Sequence, residues 1–117
     1  MRRVLIALAF LSLAGVAQAT STCWITEFAQ QSSPIYPAAL QKPLAEQTIA
    51  ASGSSTASSA FQSNTVLVRI VCDVAVSIEF GTSPSATAAK AFLPSGAIEY
   101  YAVPPAQAFK VAVITNS

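Results

Sequence analysis

Between Val66 and Phe80 an apolar side chain recurs at every second position. Val66, Val68, Ile70, Cys72, Val74, Val76, Ile78 and Phe80 form one set. The intervening Leu67, Arg69, Val71, Asp73, Ala75, Ser77 and Glu79 form a mixed, largely wettable one. A period of two sends successive side chains to opposite faces of a strand, so the stretch predicts strand with one face in a core and one towards solvent. A single strand rarely exceeds about 5–6 residues, which predicts a bend or tight turn near Asp73. Two strands sharing one buried face follow, and with them a β-sandwich or small barrel.

Weaker signals flank this centre. Thr22 to Phe28 reads as a first strand with Trp24, Thr26 and Phe28 on one face. Residues 30–47 are punctuated by Pro34, Pro37 and Pro43. Each proline removes a ladder donor and fixes φ, so the segment reads as an extended arm or long loop, with room for a short helical turn at most. Its apolar members Ile35, Tyr36, Leu40 and Leu44 are candidate interface residues, to be covered by the domain's own edge or by a neighbouring subunit.

Thr48 to Ala51 and Ala57 to Phe61 read as short strands, and the Ser/Gly/Ala/Thr tract Ser52 to Ser59 as a poorly ordered turn. Gly81 to Ala89 reads as a loop, Ala91 to Leu93 as a brief strand, and Pro94-Ser95-Gly96 as a turn. Ala97 to Val103 alternates Ile98, Tyr100 and Ala102 against Glu99 and Tyr101; Tyr101 is a candidate interface residue. Phe109 to Thr115 closes the chain as a last strand. Seven or eight short strands between turn signals predict an all-β chain, a single small β-sandwich or jelly-roll-like domain.

Residues 1–19 stand apart from that domain, which is expected to occupy 20–117. Arg2 and Arg3 precede the apolar run Val4 to Val16, and Ala17-Gln18-Ala19 is a small-x-small cleavage site, together the pattern of a secretory signal. As a helix that run would span roughly 20 Å against the ~30 Å of a bilayer core, so no stable membrane anchor is expected. The alternative is an accidental apolar start.

After this leader the bases are Lys42, Arg69, Lys90 and Lys110, and the acids Glu27, Glu46, Asp73, Glu79 and Glu99. With no basic stripe to displace phosphate counterions, nucleic acid is not an expected partner. The chain has no histidine, which removes Ser-His-Asp and Cys-His catalysis and most zinc sites. No phosphate loop is present, and Asp73 and Glu79 are roughly 20 Å apart along a strand, beyond the reach of paired acid/base work. No catalytic residue, metal or cofactor is therefore expected. Cys23 and Cys72 are a candidate disulfide if the chain reaches an oxidising compartment; the other reading is two buried small hydrophobes.

Several segments, taken in order, resemble a family of small proteins encoded in phage and prophage structural gene regions. They are Ile25 to Phe28, Pro43 to Thr48, Ser59 to Phe61, Val68 to Ile70, Ile78 to Ala88, Glu99 to Val103 and Lys110 to Ile114. The resemblance implies a compact, non-enzymatic β domain of the virion that decorates a capsid or sits at a head or tail junction. Its partners would be copies of itself or a virion lattice. The leader and the cysteine pair motivate a second expectation, a secreted or periplasmic β-sandwich binding module stapled by Cys23–Cys72.

Overall fold

The computed structural model describes residues 20–29 and 42–117. The leader at 1–19, and Ile35, Tyr36 and Leu40 of the proline-rich arm, lie outside the described residues. Eight strands follow one another: β1 (Thr22–Phe28), β2 (Ala45–Ala50), β3 (Thr56–Ala57), β4 (Leu67–Cys72), β5 (Val76–Gly81), β6 (Ala91–Leu93), β7 (Ile98–Ala102) and β8 (Lys110–Thr115). They form two antiparallel four-stranded sheets, ordered β2-β1-β4-β7 and β3-β8-β5-β6. Among the described residues no helix is long and apolar enough to cross a membrane. The fold is an all-β sandwich.

The long alternating stretch breaks where its length requires. β4 ends at Cys72 and β5 begins at Val76, with Asp73 to Ala75 between them. The two strands are not a hairpin: β4 belongs to the first sheet and β5 to the second. The bend carries the chain across the sandwich, so the even-numbered side chains of both strands meet from opposite sides. Val68, Ile70 and Cys72 face Val76 and Ile78 in one core, joined by Cys23, Ile25 and Ile49 of the first sheet and Leu93, Val111 and Val113 of the second. Each fully buried Val, Leu or Ile contributes on the order of 1.5–3 kcal/mol of transfer free energy.

Strand order explains how so short a chain closes. With β1 counted last instead of first, the sheets read 1-8-3-6 and 2-7-4-5, the order of an eight-stranded jelly roll. The ends of β8 and β1 meet at one place. Thr22 N donates to Asp73 Oδ1 at 2.8 Å, and Asn116 N donates to the Ala75 carbonyl at 2.9 Å. The topology is that of a jelly roll whose closing strand has moved to the front.

Two local expectations need correction. The arm stops short of Gln47, because β2 starts at Ala45, immediately beyond Pro43 and Leu44, and absorbs the short strand expected at Thr48. Once past Pro43 every residue again has an amide, and Glu27 to Thr22 of β1 offer a complete ladder for Ala45 to Ala50. The serine-rich tract is not a loose turn either. Ser52 Oγ bonds with the Ser54 backbone, Ser55 Oγ accepts from Ala86 N at 2.8 Å, and Ser58 Oγ accepts from Val111 N at 3.0 Å. Short hydroxyl side chains do here what a ladder does elsewhere.

Candidate functional site

Cys23 lies directly opposite Cys72 on the neighbouring strand, and the two form a disulfide with a Cα–Cα distance of 4.1 Å. The register explains the fit. Asp73 N donates to the Thr22 carbonyl, which makes Thr22–Asp73 a hydrogen-bonded pair. The next pair along, Cys23–Cys72, is of the non-hydrogen-bonded kind, in which opposed side chains come closest. Both cysteines are fully buried, so neither is a nucleophile, and Cys72 is not the inert small hydrophobe of the alternative reading.

One carboxylate is buried. Glu27 shares the inward parity of Cys23 and Ile25 and sits at the end of the core. Its Oε1 accepts from Gln62 N and from Thr65 Oγ1, both at 2.8 Å, and Oε2 lies 3.4 Å from Gln47 Nε2. Gln47 in turn accepts from Ser59 N at 2.9 Å. This network fastens β1, β2 and the loop before β4 to one another. It is a structural knot, with both carboxylate oxygens engaged by protein donors.

The remaining acids are spread apart. Asp73 holds Thr22 at the bend, whereas Glu79 accepts from Lys90 Nζ at 2.8 Å and from Ser85 N at 3.0 Å. The Lys90 contact, and then the Ser85 amide, hold the Glu79 carboxyl below its usual range. Among the described residues no group of three or more His, Cys, Asp or Glu is placed to hold a metal ion.

The tyrosine pair separates as alternation requires. Tyr101 turns inward and packs on Phe80, with ring centroids 5.0 Å apart, and burial, followed by the charge of Glu99, raises its phenol pKa. Tyr100 turns outward and is 51% exposed. The larger free surface in β7 thus belongs to Tyr100 and Ile98, not to the expected Tyr101. Leu44, the described member of the expected arm interface, is exposed, and its amide donates to the Glu27 carbonyl at 2.7 Å.

The outer face of the first sheet carries exposed aromatic and polar side chains in register. Register places Thr48, Trp24, Val71 and Ile98 in one row across β2, β1, β4 and β7. The adjacent row reads Glu46, Thr26, Arg69 and Tyr100. An open groove of about 390 Å³ runs between β1 and β2, lined by Trp24, Ile25, Thr26, Glu46, Gln47 and Thr48. Trp24, at 43% exposure, is a large aromatic left facing solvent. By sequence alone, Tyr100 and Tyr101 with Trp24 and Tyr36 suggest a carbohydrate-stacking platform. Alternation sends the two adjacent tyrosines to opposite faces and so argues against it. The register that returns Tyr100 to the face of Trp24 is not legible in the sequence. The alternation of Trp24, Thr26 and Phe28 was visible, but nothing in it says which neighbours lie alongside.

Comparisons with protein-family models, with curated proteins and with solved structures find no match to this chain.

Proposed function

We propose that the chain is a non-enzymatic structural protein of the phage or prophage type, a β domain that decorates a capsid or occupies a head or tail junction. The reading is carried by the ordered resemblance from Ile25 to Ile114, together with a sandwich that leaves several large apolar side chains exposed. Leu44 and Phe92, away from the rows of Trp24 and Tyr100, are exposed, and such side chains are ordinary anchors of protein assembly. Only 9% of the residues are charged, which keeps the desolvation cost of subunit contact low.

The Cys23–Cys72 disulfide favours a second reading, a secreted or periplasmic binding module of the same fold. Disulfides persist in oxidising compartments and are rare in the cytosol of mesophiles. One experiment separates the two: the intact mass of the protein from its native source, with and without reductant, alongside sedimentation of particles. An unprocessed chain in sedimenting particles supports the virion reading. A soluble chain starting at Thr20, lighter by two hydrogens until reduced, overturns it in favour of the exported module.

A further inference from the structure

We propose that the outer face of the β2-β1-β4-β7 sheet binds a neutral, β-linked oligosaccharide, with Trp24 and Tyr100 as its two stacking platforms. The argument starts from what the register assembles. Trp24 and Tyr100 come from strands at opposite ends of the described chain, yet they lie on one face with only β4 between them. Two interstrand steps and a two-residue offset put their Cα atoms roughly 12 Å apart, a span suited to more than one sugar ring. Both rings are about half exposed, at 43% and 51%.

The polar groups around them match a polyol. Thr26, Glu46 and Thr48 line the groove beside Trp24, and Arg69 stands between Thr26 and Tyr100 in the next row. A pyranose presents C–H groups on its faces and hydroxyls around its rim. The faces suit the aromatic rings, and the rim suits hydroxyl, carboxylate and guanidinium partners, the charged ones giving the stronger hydrogen bonds.

Charge selects the ligand further. Glu46 and Arg69 occupy one row with only Thr26 between them, so the face carries no net charge and favours neither an anionic nor a cationic ligand. The ion pair among the described residues, Lys90–Glu79, involves neither of them. A sheet face is also open and extended, which suits the ribbon-like chain of a β-linked polymer better than a compact, coiled one. The inference stands independently of whether the protein is a virion component or an exported module.

The chain contains a single tryptophan, so its fluorescence reports on this face alone. The full-length protein is titrated with cellohexaose and with chitohexaose, and its retention on the matching insoluble polymers is measured. The expected result is a saturable shift of the emission with at least one hexasaccharide, and retention on the corresponding polymer. Trp24→Ala abolishes that retention, Tyr100→Ala weakens it by about tenfold, and Tyr100→Phe, which keeps the ring, leaves it nearly intact. Should Trp24→Ala not fold, Tyr100→Ala and Thr48→Ala are read in its place, and unchanged affinity in both overturns the proposal. So does the absence of any shift with either sugar. An emission that responds only to protein dilution, without sugar, also overturns it and assigns the face to a second copy of the chain.

Discussion

Thr65 Oγ1 donates to Glu27 Oε1 at 2.8 Å, across 38 positions of sequence, and both residues are buried. The same oxygen receives the Gln62 amide, so one carboxylate holds the approach to β4 against the end of β1. Removing it leaves buried donors without acceptors. Glu27→Ala is expected to lower stability by about 3 kcal/mol, because unsatisfied buried groups bear their desolvation cost in full. Glu27→Gln, which keeps one carbonyl oxygen, is expected to cost less. The midpoints of urea unfolding of the three proteins check the order.

The cross-strand disulfide closes a separation of 49 residues. In the chain-entropy account a loop of that size is worth about 4 kcal/mol. The double variant Cys23→Ala, Cys72→Ala is expected to lose most of that, read as a shift of the urea midpoint. Both sulfurs are buried, and exchange requires a thiolate to reach one of them. The bond is therefore expected to resist reductant in native buffer and to yield rapidly in denaturant, which thiol labelling at each urea concentration measures.

Glu79 supplies the pH dependence. Its folded pKa lies below the ordinary 4.5, chiefly through Lys90, so the folded state binds fewer protons than the unfolded one as the solution turns acid. The stabilisation is present above that ordinary value and disappears as pH falls through the lower, folded one. The pair is partly exposed, so added salt is expected to shrink the effect. Unfolding midpoints of the parent and of Glu79→Gln, measured from neutral to acid pH, are expected to differ at neutral pH and converge at the acid end.

The meeting of β1 and β8 at the Asp73–Ala75 bend makes the order of strands separable from their arrangement. A permuted chain that begins at Lys42, runs to Ser117, and continues through a short Gly/Ser linker into Thr20 to Ala29 is expected to fold. It restores the regular jelly-roll order with β1 as the closing strand. Recovery of the Cys23–Cys72 bond, mapped by peptide mass, and a cooperative urea transition are the expected results. A chain with free or intermolecularly bridged thiols contradicts the topology.

What the sequence determined by itself is local. The two-residue period from Val66 to Phe80 is enough to define two strands and the break near Asp73. It also defines the centre of the buried set, Val68, Ile70, Cys72, Val76 and Ile78, although Leu67 and Ser77 of the opposite set are buried as well. Alternation is a property of one strand, and side chains of one parity must share a face. Pro43 likewise marks where a ladder cannot run, and β2 begins two residues beyond it.

Tertiary structure decided everything that depends on a neighbour. Alternation cannot tell which face of Ile98 to Ala102 is covered, since both parities carry a large apolar residue. Ile70, opposite Glu99 in register, and Phe80, across the core, turn Tyr101 inward and leave Tyr100 outside. Nor can it tell a hairpin from a crossing between sheets, because a bend of three residues serves either. The pairing of β1 with β4 sets Cys23 beside Cys72, brings Glu27 to Thr65 and lines up Trp24 with Ile98, and such non-local pairing is written in no single segment of the chain.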